Sequence, residues 1–239
     1  MATNVLLNNV SHSGLKVITR FGEEFGDAVS SVMAFPTEFM ELQKEYPILF
    51  RKNAETNKFQ AVALLGFEKG ENLYLNSNSK TGWDATYIPA VVAKGPFLIG
   101  LQPDGDSDKE PVIHIDLDHP KVSQDDGYPL FLDYGGNSPY LEHIASLLTL
   151  IHQGVAIQDK MYNLFTELNL IEPVNIEIQL NNGEKCRLTG NYTINQKTLL
   201  ELPGAQLERL NKLGLLPLAY AVIASLSNIR KLTEIKNSK

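Results

Sequence analysis

The sequence predicts an α+β fold in which a mixed, β-rich N-terminal portion packs with a helical C-terminal portion that contains a β-hairpin. Three patterns point to this class. Short apolar runs broken by Gly, Pro, Asn and Asp fill the first part of the chain, long runs with helical spacing follow Ser138, and an alternating stretch surrounds Asn182-Gly183. The change of pattern near residue 137 marks a possible sub-boundary inside one predicted domain, residues 1–239.

The N-terminal portion predicts short helices between strands. Residues 36–46, "PTEFMELQKEY", begin with a proline that suits the first turn of a helix, and Pro89 gives residues 87–94 a similar start. Apolar runs bounded by turn residues predict the strands, which are 48–51, 60–67, 72–75, 97–101 and 111–117. The acidic loop 102–110 lacks the glutamate that completes a calcium loop, so no calcium site is predicted there.

The C-terminal portion predicts a long helix and a hairpin. Apolar residues recur every three or four positions from Ser138-Pro139 to about Asn169, which predicts the helix, while Gly154 leaves open a kink or a division into two helices. Residues 174–188 alternate apolar and polar positions around an Asn-Gly pair, so they predict a hairpin in which Cys186 faces inward.

The end of the chain predicts three helical pieces. They are separated at Pro203-Gly204 and at Gly214, and the last one runs from about Pro217 to Leu232. Between residues 218 and 226 this last helix is apolar on nearly every side except at Tyr220 and Ser225. We interpret it as a core helix, and the alternative is a subunit interface that would form a homo-oligomer through Leu218–Leu232.

The composition argues against several classes of function. The net charge of −7 opposes attraction to nucleic acid and anionic lipid, and no segment reaches the ~20 apolar residues of a membrane-spanning helix. We therefore predict no nucleic-acid binding and no membrane insertion. Cys186 is the single cysteine and cannot form an internal disulfide, and the first residues lack the pattern of a secretory signal. We expect a cytoplasmic location.

The segment "VIHIDLDH", residues 112–119, is the strongest candidate for chemistry. On a strand, His114 and Asp116 share one face while Ile113 and Ile115 share the other, so the polar side chains suit the solvent-facing side of a sheet. The alternative takes His114 and Asp116 as two ligands of a non-haem iron oxygenase, which needs a distant second histidine. The other histidines offer no partner with suitable spacing, so no metal is predicted.

Other catalytic patterns are missing from the sequence. It contains no Gly-x-Ser-x-Gly elbow, no grouping of Ser, His and an acid, and no glycine loop for phosphate. We therefore predict no catalytic residue and no cofactor. The only tryptophan, Trp83, lies beside Asp84 and near Tyr87, and this stretch is interpreted either as part of the fold or as a recognition surface.

Five stretches of the chain resemble the SapC family of bacterial proteins. They are "YPILFRK" (46–52), "FQAVALLGFEKGENLYL" (59–75), "GWDATYIPA" (82–90), "YPLF" (128–131) and "LGLLPLAYAVIASLSNIRKL" (213–232). The resemblance implies a SapC-like domain over nearly the whole chain. It also implies an association with surface-layer loci, outer-membrane nutrient receptors, flavin-dependent halogenases and cupin-like oxygenases. It brings no catalytic residues, and "HIDLDH" departs from the family pattern.

The positions that match the family motifs are the candidate binding residues. They are Phe50, Arg51, Glu71, Asn72, Trp83, Asp84 and Tyr87, with Gly66 and Pro89 beside them. These residues suit either a binding surface or roles in the fold. From the missing catalytic patterns, the cysteine count and the resemblance together, we expect a non-catalytic, cytoplasmic accessory protein that binds a protein or peptide partner. The alternatives are an iron oxygenase that uses His114 and Asp116, and a surface-layer or export component.

Overall fold

A computed structural model of the protein describes residues 3–101 and 111–239, so the predicted acidic loop 102–110 lies outside the described residues. The described residues form both sheets and helices, which confirms the α+β class. They group into two compact units that share the chain in alternating segments. Unit 1 comprises Met1–Asp27, Leu75–Asp84 and Ala90–His152, and unit 2 comprises Ala28–Tyr74, Ala85–Pro89 and Gln153–Lys239.

The strands and helices have the following bounds. The strands are β1 (Asn4–Leu6), β2 (Lys16–Val17), β3 (Ser31–Met33), β4 (Ile48–Lys52), β5 (Phe59–Leu64), β6 (Phe97–Leu101), β7 (Pro111–Asp116), β8 (Val122–Ser123), β9 (Tyr128–Pro129), β10 (Ile171–Gln179) and β11 (Lys185–Ile194). The helices are α1 (Phe39–Leu42), α2 (Ala90–Ala93), α3 (Pro139–Glu167), α4 (Gln196–Leu200), α5 (Gly204–Lys212), α6 (Leu216–Ser225) and α7 (Asn228–Ser238), and single 3-10 turns occupy Glu23–Phe25 and Pro36–Glu38.

Unit 1 is built on an antiparallel sheet with the strand order β1-β7-β6. Ile115 of β7 lies opposite Val5 and Phe97 and is fully buried. It packs in one apolar cluster with residues of the first half of α3, including Leu141 and Ile144. The second small sheet, β8-β2-β9, adds the buried Val17 to the same cluster. The predicted alternation along β7 is confirmed, because its isoleucines face this core.

Unit 2 is built on an antiparallel sheet with the order β10-β11-β4-β5-β3. Residues directly opposite one another on neighbouring strands share a face of a sheet. Phe50 pairs with Ala61 and Tyr192, so these side chains lie on one face, which the second half of α3 covers through Tyr162. Arg51 lies on the other face.

The hairpin and the long helix form as predicted. β10 and β11 pair antiparallel, and their turn closes through hydrogen bonds between Leu180 and Glu184 and between Gly183 and Leu180. The helix α3 is continuous through Gly154. A Cβ atom at Gly154 would lie 2.6 Å from Cβ of Phe35, so this glycine permits close packing and does not break the helix.

Two local predictions are wrong. Residues 72–75 form a turn and a single bridge from Leu75 to Trp83, because the side chain of Asn72 accepts the amide hydrogen of Tyr74 at 3.0 Å and turns the chain. The last predicted helix is divided near Leu226 into α6 and α7. There the hydroxyl group of Ser227 donates to the carbonyl oxygen of Ala224, which competes with regular helical bonding.

α6 is buried on one side only. Its residues Ala219, Ala221 and Val222 are buried, whereas Tyr220 on the opposite side is exposed. Among the helices of the described ranges, none alone is long and apolar enough to cross a bilayer, and one pair bent by 93°, Gly204–Lys212 with Leu216–Ser238, meets that length and hydropathy requirement jointly.

Candidate functional site

Trp83 and Asp84 have structural contacts within unit 1. The Trp83 side chain is almost fully buried and packs edge-on against Phe21, with 5.5 Å between ring centres. The exposed Asp84 carboxylate accepts a hydrogen bond from the side-chain amide of Asn76 at 2.6 Å. These contacts close the loop 75–84 on itself and against the N-terminal segment of the same unit.

Tyr87 fastens the segment 85–89 to α1 and the residues that follow it in unit 2. Its hydroxyl group donates to Oε2 of Glu38 at 2.9 Å, and its carbonyl oxygen accepts from the hydroxyl group of Tyr46 at 2.5 Å. The Glu45 carboxylate accepts the backbone N–H groups of Thr86 and Tyr87 at 3.1 and 2.8 Å. Burial and the negative charge of Glu38 raise the pKa of Tyr87. The tyrosine therefore remains a donor to the buried carboxylate.

Glu71 closes the turn after β5 and contacts α7. Its carboxylate accepts the Phe67 N–H at 2.9 Å and forms an ion pair with Lys236. Burial raises the pKa of Glu71, but the hydrogen bonds from Lys236 and Phe67 outweigh it, so the pKa is lower than usual. A Cβ atom at Gly66 would lie 2.5 Å from the Glu71 carbonyl oxygen, so glycine is required where the chain folds back.

Two further motif positions are buried in unit 2. Phe50 is fully buried and packs edge-on against Tyr162, with 5.8 Å between ring centres. Asn72 is 7% exposed, and its side chain shapes the turn described above. Both residues contribute to the fold through contacts with neighbouring parts of the same unit.

Arg51 differs from the other motif residues because its charged group is held in place but has no counter-ion among residues 3–101 and 111–239. The guanidinium Nε–H donates to Oδ1 of Asn191 at 2.9 Å, and Nη1 donates to Oγ of Ser31 at 2.7 Å. Both acceptors are neutral. Among the described residues, no carboxylate forms an ion pair with Arg51, and burial alone lowers the pKa of the guanidinium.

Arg51 lies on a polar area of the sheet. Gln60 and Asn191 pair directly with it on the two neighbouring strands, so their side chains share its face. Thr193 lies two residues beyond Asn191 on the same face; it is 5% exposed, and its Oγ1 has no hydrogen-bond partner among residues 3–101 and 111–239. Met33, which is 43% exposed, adds an apolar surface to this face. We use the name Arg51 site for the set formed by Arg51, Ser31, Met33, Gln60, Asn191 and Thr193.

Arg51 can accept a further ligand. A guanidinium group has five N–H donors, and protein acceptors in the described ranges use two of them. Half-buried arginines are normally paired because desolvation of an unpaired charge is unfavourable. A carboxylate with two oxygens is the ligand whose geometry fits the remaining donors best.

The structure places His114 and Asp116 on the outer face of the unit 1 sheet. His114 lies opposite Leu6 and Leu98 on the neighbouring strands, and its Nδ1 atom is buried without a hydrogen-bond partner among the described residues. The ring covers Gly100, where a Cβ atom would lie 2.3 Å from Cε1 of His114. Asp116 accepts the Asp118 N–H at 3.1 Å. Within the described ranges, no group of three His, Cys, Asp or Glu side chains is arranged to hold a metal ion.

Lys121 is a buried cation whose charge the protein itself neutralises. Lys121 of unit 1 is 3% exposed, and its Nζ lies 3.0 Å from Oδ2 of Asp27 and 4.1 Å from the centre of the Phe21 ring. Burial lowers the pKa of Lys121, whereas Asp27 raises it. This arrangement stabilises the fold and leaves no role for an external anion.

Sequence reasoning missed the residues that hold the motif positions. Glu38 accepts the Phe35 N–H at 3.0 Å. A glutamate at the third position of a helix, two residues after a proline at the first position, is a helix-start pattern that indicates this contact. Ser31 and Asn191 reach Arg51 from 20 and 140 residues away, and nothing near them in the sequence indicates this contact.

The fold and the site define an α+β protein in which most motif positions stabilise the structure, while Arg51 carries a charge that no carboxylate of the described residues neutralises. The model of the SapC family matches residues 7–232, and the chain belongs to this family. No match was found among curated proteins or among solved structures.

Proposed function

We propose that this protein is a non-catalytic accessory protein that binds a protein or peptide partner, and that Arg51 receives a carboxylate group of that partner. The observation that supports the proposal is a half-buried guanidinium with no protein counter-ion in the described residues. The carboxylate belongs to an aspartate or glutamate side chain or to the C-terminus of the partner chain. All three present the same two-oxygen group.

The surroundings of Arg51 favour binding over a purely structural role. Asn191 and Ser31 orient the guanidinium before a ligand arrives, so little conformational freedom is lost on binding. The exposed Met33 side chain offers apolar contact that adapts to different neighbours. A charged anchor beside an adaptable apolar residue is a common composition for the centre of a protein interface.

The same proposal includes a setting for the protein. We propose a cytoplasmic location, supported by a single cysteine, and a role beside nutrient-receptor, halogenase or surface-layer systems, supported by the family membership. Cell fractionation tests this part. Recovery in the cytosol is expected, and recovery in the outer layers of the cell would favour a surface-layer or export component.

The binding proposal is tested by affinity capture from the native bacterium with three forms of the protein. These are the wild type, Arg51→Gln and the control Arg187→Gln, whose exposed side chain lies 3.5 Å from Glu177 in the same unit. We expect a partner retained by the wild type and the control but lost with Arg51→Gln. Peptides from that partner are then measured in acidic and amidated forms, and loss of one charge-assisted contact should weaken binding about tenfold or more.

Two results would contradict the proposal. One is a partner that binds Arg51→Gln as tightly as the wild type. The other is equal affinity for the acidic and the amidated peptide. Thermal melts of the variants show whether each is folded, so a loss of binding can be assigned to the side chain.

A further inference from the structure

A cavity lies within unit 2 between the turn that joins β4 to β5 and the second half of α3. Its volume is about 310 Å³, which is at the small end of ligand-binding cavities. The side chains that matter for its chemistry are Lys52, Lys58, Phe59, Asp159, Tyr162 and Asn163. Lys52 follows Arg51 on β4, and successive side chains of a strand face opposite sides, so this cavity is separate from the Arg51 site.

Lys52 brings a positive charge to the cavity that no carboxylate of the described residues pairs with. Its Nζ lies 5.0 Å from the centre of the Phe59 ring and 5.7 Å from that of Tyr192. Cation–π attraction of about 0.5–1 kcal/mol at an exposed site positions the ammonium group. It does not use the N–H donors that point away from the rings.

The net charge of the cavity is positive. Nζ of Lys58 lies 3.9 Å from Oδ1 of Asp159, and both side chains are exposed, so they form a weak ion pair. The two charges of this pair nearly cancel. Lys52 then remains as one uncompensated positive charge among the lining residues. A ligand with one negative charge matches this balance better than a dianion, which Asp159 would repel.

Tyr162, a buried residue, lines the cavity and supplies a neutral hydroxyl group. Its oxygen accepts the backbone N–H of Ala61 at 2.6 Å, so its own O–H hydrogen remains available to another acceptor. Burial and the charge of Asp159 raise the pKa of Tyr162, so the group keeps this hydrogen. An anion in the cavity can therefore meet a charged donor and a neutral one.

Phe59 gives the cavity an apolar wall. The ring is half-buried and lies edge-on to Tyr192, with 5.2 Å between ring centres, which fixes its orientation. A flat apolar group can stack against such a wall. The combination of one net positive charge, a hydroxyl donor and an aromatic wall restricts the chemistry of the ligand.

We propose that this cavity binds a small monocarboxylate with a flat apolar body. The carboxylate faces the ammonium group of Lys52 and the hydroxyl group of Tyr162, and the body contacts Phe59. This site for a small molecule is additional to the macromolecular partner of the Arg51 site.

The experiment titrates the full chain with benzoate and, separately, with benzamide, which has nearly the same shape and no charge. Binding is followed by NMR through the backbone signals of residues 52–59 and 159–166. Four variants are compared: Lys52→Met, Lys52→Arg, Arg51→Gln and Lys44→Met, whose exposed lysine pairs with Glu41 at 2.7 Å. Lys52→Met keeps an unbranched, apolar side chain over the rings and removes only the charge.

We expect benzoate to shift the signals of both stretches and benzamide to bind at least about tenfold more weakly. Lys52→Met should weaken benzoate binding by a similar factor, Lys52→Arg should restore most of it, and Arg51→Gln and Lys44→Met should leave it unchanged. Equal binding of the two probes, no shift at these signals, or unchanged binding in Lys52→Met would each overturn the inference. Loss of benzoate binding in Arg51→Gln alone would overturn it too, while leaving the proposed function supported.

Discussion

Lys121 in unit 1 is a buried cation, Arg51 in unit 2 is a half-buried one, and the protein surrounds the two charges differently. Lys121 lies 3.0 Å from a carboxylate and above an aromatic ring, so its charge is neutralised by the protein itself. Arg51 is held by two neutral acceptors, and no carboxylate of the described residues pairs with it. The difference separates a charge that the protein itself neutralises from one for which we propose an external ligand.

The largest effect is expected from Lys121→Met. The substitution removes the counter-ion of the Asp27 carboxylate, which is nearly buried. Breaking such an ion pair costs about 3–5 kcal/mol of stability. The measurement is the free energy of unfolding from urea denaturation. Lys44→Met, which removes an exposed ion-paired lysine, is the control and should lose no more than about 1 kcal/mol. Similar losses in both variants would mean that the Lys121 pair adds little stability.

Tyr87→Phe extends the comparison to a buried anion. The variant removes the hydroxyl group that donates to Glu38, which is 1% exposed and keeps the Phe35 N–H as a donor. Loss of a hydrogen bond to a buried charged group should lower the free energy of unfolding by about 1–3 kcal/mol. The matched control is Tyr134→Phe, because Tyr134 is fully exposed. Equal melting temperatures of the two variants would contradict this role of Tyr87.

Glu71→Gln tests a third ionised group through the pH dependence of the free energy of unfolding. The pKa of Glu71 is lower in the folded protein than in the unfolded chain, so the folded state binds fewer protons and the carboxylate contributes stability that is lost as the pH falls. Between about pH 6 and about pH 3 the wild type should therefore lose more stability than the variant. Lys236→Met should flatten the same part of the curve, and the double variant should add little. Parallel curves for wild type and Glu71→Gln would disprove the assignment.

Arg51→Gln should have the smallest effect on stability. The variant loses two hydrogen bonds to neutral acceptors but also removes a half-buried charge that no carboxylate of the described ranges pairs with. The opposing contributions should leave a change in the free energy of unfolding below about 1 kcal/mol. Urea denaturation beside Lys121→Met measures the contrast directly. If Arg51→Gln lost as much stability as Lys121→Met, Arg51 would belong with the structural charges.

Local patterns predicted the elements whose determinants lie close together in the sequence. The hairpin follows from alternation around Asn182-Gly183, and β7 follows from isoleucines at every second position. Strands β1, β2 and β3 were not predicted, because two or three residues are too few to show a period. Residues 72–75 were predicted as a strand because they form a short apolar run. The side-chain hydrogen bond of Asn72, which turns the chain there, has no signature in the sequence.

The candidate site was predictable only in part. The family motifs identified Arg51, but they did not distinguish it from Phe50 or Trp83, which are buried. That distinction depends on which side chains meet in three dimensions, and Ser31 and Asn191 meet Arg51 from distant parts of the chain. The absence of a carboxylate partner in the described ranges is also a property of the folded arrangement, which spacing along the sequence does not reveal.

The alternation of the chain between the two units determines how the protein can be divided. The segments change unit after residues 27, 74, 84, 89 and 152, so no single cut releases either unit intact. A fragment that stops at residue 152 would contain β4 and β5 but neither β11 nor Tyr162. The ring of Phe50 would then be exposed to water. Such a truncated product should therefore aggregate, and dissection of this protein requires point substitutions in the intact polypeptide.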